Sequence, residues 1–258
     1  MTGPAAVEPC SVLLTGAWNP LTPQAPAALA ERRERLRRSI AYYARLGIVR
    51  RMVLADATLT DADRASLQAE FPQLELPPLR TSPHGDWAGP SYLEALVYAE
   101  VAKAGIVQPN TARWIKVTGG YRVTNLRAVL GVADAAGAAG LGFVHQHPLR
   151  PYARFVMSAF VVLDGALLDG FMRFAADGAE RARQEPLEGF MRDFFLAHGR
   201  RRIHSPYPRV DAYYSTSGLR SDSPRLLPHT LAWGVLSRLG LYAWCLPRGA
   251  AAQRAAAS

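Results

Sequence analysis

Ser11-Val-Leu-Leu-Thr-Gly16 and, further on, Val49-Arg-Arg-Met-Val-Leu-Ala55 enclose a helical pattern, and this succession decides the fold. The first segment is a short apolar run that ends at a glycine, which suits a buried strand. Trp18-Asn-Pro-Leu-Thr-Pro23 then reads as a turn-rich loop. Residues 27–46 place Leu36, Ile40, Tyr43 and Leu46 on one side of a helix, with arginine-rich positions opposite and Gly47 as its C-cap. Strand, helix and strand at this spacing predict a βαβ unit and a parallel sheet.

The same reading extends outward. Asp56 closes the second strand, and a short helix is expected over Asp61–Phe71. The proline-rich segment Phe71–Pro90 reads as a surface loop, followed by a helix over Ser91–Ala104 whose Ser91-Tyr-Leu-Glu94 start fits a capping box. A strand over Trp114–Thr118 and a helix over Asn125–Ala136 come next. Strands at Phe143–Val144 and Val156–Leu163 and helices over Leu167–Ala176 and Glu185–His198 complete the pattern. With no convincing linker, the expectation is one α/β domain over residues 10–220, a Rossmann-like, mostly parallel sheet with flanking helices. A helical tail is expected over 221–258.

The chemistry concentrates in Trp114-Ile-Lys-Val-Thr-Gly-Gly-Tyr-Arg-Val-Thr-Asn-Leu126. A β-branched run enters a glycine pair, which lets backbone N–H groups approach a ligand without a Cβ in the way. Lys116, Arg122 and Asn125 bring cations and an amide to the same place, suited to a phosphate or sugar hydroxyls. A strand ending in a tight turn with solvated cations reads equally well from spacing.

Of the 258 residues, 49% are hydrophobic, enough for a sizeable core. Thirty Lys+Arg against 21 Asp+Glu give a formal charge of +9, and almost all of the cations are Arg. That balance favours an anionic ligand, an acidic membrane surface or nucleic acid, although a GC-rich genome gives the same bias. Nucleic acid has charge alone behind it, since the alternating aromatic and basic sheet pattern of such modules is missing. Cys10 and Cys245 show no metal-ligand spacing and fit a reducing cytoplasm. Met1–Cys10 lacks the features of a secretory signal, and no uncharged apolar stretch is long enough to span a membrane.

Several signatures are missing. No Walker A sequence follows a strand, Gly137-Ala-Ala-Gly-Leu-Gly142 has the wrong order for GxGxxG, and neither HExxH nor GxSxG occurs. Asp61-Ala-Asp63 has the form of the metal-holding DxD of many sugar transferases, but Thr60-Asp-Ala-Asp63 also suits an N-cap with first-turn acids. His145-Gln-His147 belongs more naturally to a loop than to a metal site, and no metal ligand is assigned. Arg200–Arg209 is a basic segment suited to a diphosphate, an acidic headgroup or plain solvation. Leu231–Leu246, with Trp233, Tyr242 and Trp244, suits either a helix packed on the sheet or peripheral contact with a membrane interface.

Taken in order, these pieces resemble a group of small bacterial glycosyltransferase-like proteins of surface-polysaccharide synthesis. The resemblance runs through Leu13-Leu-Thr-Gly-Ala-Trp-Asn-Pro20, Arg35 and Tyr42, and Asp56. Gly89-Pro-Ser-Tyr-Leu-Glu94 stands for the family's Gly-Lys-Gly-Tyr-Gly-Glu, and Pro208–Gly218 is similar to its Pro-x-x-x-Gly-x-Ser-Gly. The best match is Lys116-Val-Thr-Gly-Gly-Tyr-Arg-Val-Thr-Asn125, similar to Lys-x-Thr-Gly-Arg-Tyr-x-x-x-Asn. Two positions depart from the pattern: Gly120 replaces the motif arginine and Pro90 the motif lysine.

The resemblance implies a GT-A-like fold and transfer of a sugar from a nucleotide-diphosphosugar to a glycan or lipid-linked acceptor. Asn19, Arg35 and Asp56 are then expected near the nucleotide, and Thr118, Gly119 and Asn125 belong to the same donor site. Lys116 and Arg122 would offset diphosphate charge, and Glu94 is the candidate general base. A cofactor stays unassigned: a divalent metal suits such transferases, yet no convincing DxD is present. The expected setting is cytoplasmic, with peripheral contact at the inner membrane face as the alternative for the tail, and without nucleic acid. The two departures open a second reading, a member that binds nucleotide-sugar or glycan in an assembly complex with little or no transfer.

Overall fold

The computed structural model describes residues 7–20, 23–80, 89–135, 140–141, 160–197, 210–211, 213–214, 219–220 and 235. The chain runs β1 (Cys10–Thr15), α1 (Pro26–Ala44), β2 (Val49–Ala55), α2 (Asp61–Glu70), β3 (Leu74–Glu75), α3 (Gly89–Lys103) and β4 (Arg113–Thr118). It continues through β5 (Arg122–Val123), α4 (Leu126–Ala135), β6 (Gly140–Leu141), β7 (Phe160–Asp164), α5 (Gly165–Asp177) and α6 (Leu187–Ala197). The short strands β8 (Val210–Asp211), β9 (Tyr213–Tyr214) and β10 (Leu219–Arg220) follow.

Six strands form one sheet in the order β3-β2-β1-β4-β7-β6. β3, β2, β1 and β4 are parallel, whereas β7 runs antiparallel to both β4 and β6. The architecture is therefore α/β, Rossmann-like and mostly parallel, as the sequence predicts. From β1 the chain winds outward through β2 to β3 and then crosses back to place β4 on the other side of β1. The topological switch point thus lies between the carboxyl ends of β1 and β4, where open α/β sheets bind ligands.

The pleat sorts each strand between two cores. Val12, Leu14, Met52, Leu54, Ile115 and Val117 face a cluster that includes Leu36, Ile40 and Tyr43 of α1, Leu67 of α2 and Leu126, Val129 and Leu130 of α4. Leu13, Val53, Trp114, Val161 and Leu163 face Tyr98 and Val101 of α3, Phe171 of α5 and Phe190 of α6. Near-continuous apolar runs such as Val12-Leu-Leu14 follow from this burial on both faces.

The helix ends account for the local differences from expectation. α1 stops at Ala44 with Arg45 as C-cap, its N–H donating to the Tyr42 carbonyl and the Leu46 N–H to that of Tyr43, so Gly47 is not the cap. α3 begins at Gly89 and not at Ser91. Proline at the second helical position is tolerated because the first-turn N–H groups have no intrahelical partner. Ser91 is consequently inside the helix and its Oγ accepts from the Leu187 N–H at 3.2 Å, so the expected capping box does not form. The expected loop after Phe71 contains β3, which pairs with β2 through Met52–Leu74 and Val53–Glu75. Phe143–Val144, His145–His147, residues 200–209, Ser215–Gly218, residues 231–234 and the tail beyond Val235 lie outside the described residues.

Candidate functional site

A cavity of about 120 Å³ opens at the switch point between β1 and β4. Gly16, Ala17 and Trp18 after β1 form one wall, and Thr118 to Tyr121 after β4 form another. α1 supplies the third with Arg32, Arg33, Arg35 and Leu36. The three guanidinium groups make the cavity strongly cationic. Burial pulls the Arg32 guanidinium below the ordinary arginine value, Asp56 works against that, and the like charge of Arg35 adds to it.

Local hydrogen bonds hold each wall. Arg32 Nε donates to the Ala17 carbonyl at 2.7 Å. Arg33 donates to Asn19 Oδ1 and stands over the Trp18 ring, 5.2 Å from its centroid, while Arg37 stands 4.9 Å from the same ring. Arg33 Nε is buried and has no hydrogen-bond acceptor among the described residues, an arrangement that costs a donor about 1–3 kcal/mol. Arg35 is 3.5 Å from Glu31, an exposed pair that solvent screens.

The β4 wall is pinned by α1. Ser39 Oγ donates to the Tyr121 carbonyl at 2.7 Å, Tyr42 OH donates to the Val123 carbonyl at 2.8 Å, and the Val123 N–H donates to Tyr43 OH at 3.1 Å. The Gly119 N–H donates to the Thr15 carbonyl. A Cβ at Gly119 would meet that carbonyl oxygen at 2.9 Å and Leu36 Cδ1 at 3.0 Å. Gly120 has φ +87°, the left-handed region that glycine enters freely. Any L side chain here, an arginine included, would be strained.

The expected site residues divide between the two sides of the sheet. Asn19, Arg35, Asp56 and Gly119 belong to the α1 side. Asn19 and Asp56 are engaged within the protein. The Asn19 amide donates to the Thr58 carbonyl and Asp63 Oδ2, both at 2.9 Å. Asp56 Oδ2 accepts from the Trp18 N–H at 2.6 Å, and Oδ1 accepts from the Thr58 N–H at 2.8 Å and hydroxyl at 2.6 Å. Burial raises the Asp56 carboxyl above its ordinary value, in opposition to these hydrogen bonds and to Arg32. Its visible role is to clamp the loop after β1 to the loop after β2.

Lys116 and Glu94 meet on the α3 side. Lys116 is 1% exposed, its Nζ 2.7 Å from Glu94 Oε1 and 3.2 Å from Thr118 Oγ1. Glu94 Oε1 also accepts from Thr15 Oγ1 at 2.8 Å and Tyr98 OH at 2.9 Å. Burial pushes the Glu94 carboxyl up, but the Lys116 charge together with hydrogen bonds from Lys116, Thr15 and Tyr98 outweighs it and holds the group below 4.5. Neither side chain lines the cavity. Arg122 pairs with Asp211 across β5 and β8, and Asn125 precedes α4, its carbonyl accepting from the Ala128 and Val129 N–H groups.

Arg32 and Arg33 are the residues that sequence reasoning passed over. They stand four and three positions before Leu36, on the same side of α1 as Leu36, Ile40 and Tyr43. The signal that could have found them is a charged interruption of the apolar stripe. What distinguishes them is the loop after β1 folding back along that face, a contact that spacing does not encode.

No protein-family model matches the chain, and no curated protein does either. Among solved structures the chain is similar to "Crystal structure of 4-diphosphocytidyl-2C-methyl-D-erythritol synthase". The similarity covers 70% of this chain and 88% of that one, with 12% identity and a TM-score of 0.39.

Proposed function

We propose that the cavity between β1, β4 and α1 is the donor site of a nucleotide-diphosphosugar protein, and that the sugar is transferred to a glycan or lipid-linked acceptor in surface-polysaccharide synthesis. The observation that carries this reading is the position of Arg32, Arg33 and Arg35 around one cavity at the switch point of the sheet. Guanidinium forks match phosphate oxygens in charge and shape. In transfer, the acceptor hydroxyl oxygen bonds to the sugar carbon and its proton passes to solvent, while the bond from that carbon to the diphosphate oxygen breaks and the departing nucleoside diphosphate takes up negative charge. Cations fixed beside that charge lower the barrier. Asn19 and Asp56 fix the loop that carries Trp18, and Gly119 and Gly120 let backbone lie close to the ligand.

A second reading, binding with little or no transfer, is favoured by the state of Glu94. A carboxylate held by an ammonium and two hydroxyls, with its affinity for a proton lowered, is a poor general base near neutral pH. Titration calorimetry with UDP-, GDP-, CMP- and dTDP-sugars, followed by assay for release of the nucleotide in the presence of glycan acceptors, separates the two. Binding with release supports transfer, and binding without release supports the second reading. No binding to any of them overturns the donor site, and with it both transfer and nucleotide-sugar binding.

A further inference from the structure

Building on the donor-site reading above, we infer that arginine side chains neutralise the phosphates of the bound nucleotide and that their binding requires no divalent cation. A divalent cation suits sugar transferases, and Asp61-Ala-Asp63 has the form of the DxD pair that would hold one. The donor set does not fit. Asp63 Oδ1 accepts from Trp18 Nε1 at 2.9 Å. Its Oδ2 accepts from the Asn19 amide at 2.9 Å, the Thr60 hydroxyl at 2.7 Å and the Thr60 N–H at 3.1 Å. Thr60 Oγ1 accepts in return from the Asp63 N–H at 3.1 Å, so Asp63 closes the capping box of α2. A hard cation held by both carboxylate oxygens needs lone pairs on each, and Oδ2, which already accepts three hydrogen bonds, has none to give without stripping the helix cap and releasing Asn19.

Asp56, a second carboxylate on the α1 side at this end of the sheet, is buried with its oxygens bonded to Trp18 and Thr58. Among the described residues no three His, Cys, Asp or Glu side chains come together as a metal site. The charge that would meet phosphate is instead on Arg32, Arg33 and Arg35, all on the cavity wall. Arg33 Nε adds a buried donor that lacks an acceptor, the kind of group a ligand oxygen satisfies.

The test is calorimetry of the full chain with UDP, GDP, CDP and dTDP, each in EDTA and again with Mg²⁺ or Mn²⁺. The expected result is binding in EDTA that the metal strengthens by less than about threefold, a change under one kcal/mol. Arg33→Gln should weaken that binding about tenfold in both buffers. A metal-dependent gain above about threefold, or an unchanged affinity in Arg33→Gln, overturns the inference while leaving the donor site in place. Binding in neither buffer overturns the donor-site reading as well, so the two failures are distinguishable.

Discussion

Lys116 Nζ lies 2.7 Å from Glu94 Oε1 on the α3 face of the sheet, while Val117, the next residue, packs into the core on the α1 face. The pleat of β4 thus separates a buried ion pair from the arginine cavity. A lysine that reads as a phosphate contact is committed to holding α3 against β1 and β4, and the charges that line the cavity come from a helix.

Removing one partner of this pair should cost more than removing both. Lys116→Met leaves the Glu94 carboxylate, 22% exposed, without its cation at about 2 kcal/mol, and Glu94→Gln/Lys116→Met should cost less than Lys116→Met alone. Urea unfolding of the single and double variants gives the comparison. Additive losses would show that the pair contributes no coupling.

The pH dependence follows from the depressed Glu94 carboxyl. A carboxyl held below 4.5 in the folded state contributes stability that is complete above the unfolded value and is lost as pH falls through the folded one. The difference in unfolding free energy between the native chain and Glu94→Gln should therefore be constant near neutrality and shrink below pH 4.5. A difference that stays flat into acid would contradict the assignment.

Gly120→Arg restores the cation of the resembling motif and should still destabilise the protein. The substitution has room, since a Cβ there comes no closer than 3.7 Å to Arg35 Cβ, but φ +87° is unfavourable for an L side chain. The expected loss is about 1–2 kcal/mol, with Gly120→Asn costing less than Gly120→Arg. Thermal unfolding of both variants decides the point.

Arg32→Gln should reduce the affinity for nucleoside diphosphates by about tenfold or more, the value of one hydrogen bond to a charged group. The native affinity should fall with added salt, and the variant should respond less steeply. Calorimetry across a salt series measures both.

Arg122→Gln should cost less than about 1 kcal/mol of stability, because the Arg122–Asp211 pair is 36% and 41% exposed and solvent screens it. If Arg122 also meets the diphosphate, its replacement weakens nucleotide binding by far more than it lowers the melting temperature. Equal, small effects on both would confine Arg122 to the β5–β8 ribbon.

Much of the architecture was legible because strand and helix burial leave periodic traces. β2 runs Val49–Ala55 as expected, and β4 extends the expected strand by one residue, Arg113. Helix ends were less legible, since Pro90 in the first turn of α3 moves the start back to Gly89 and displaces Ser91 from the cap. The loop at the end of β1, the glycine turn at the end of β4 and Arg35, all singled out in the sequence, border one cavity. The alternation of β4 alone would have turned Lys116 away from Val117, but its partner Glu94 comes from α3, far along the chain. Arg32 and Arg33 did carry a mark, since they extend the side of α1 that bears Leu36, Ile40 and Tyr43 with charges in place of apolar residues. What covers them there is the loop after β1, which periodicity does not reveal.

The cap of α2 has a wider consequence. Arg33 donates to Asn19, Asn19 donates to Asp63, and Asp63 accepts from the Thr60 N–H that begins the helix. One unbroken relay therefore runs from the cavity wall to a helix end, and α2 cannot fray without loosening the side chains around Trp18. The first-turn amides of α2 become a remote gauge of the cavity: whatever settles on Arg33 should slow their exchange with deuterated solvent, although they never touch it.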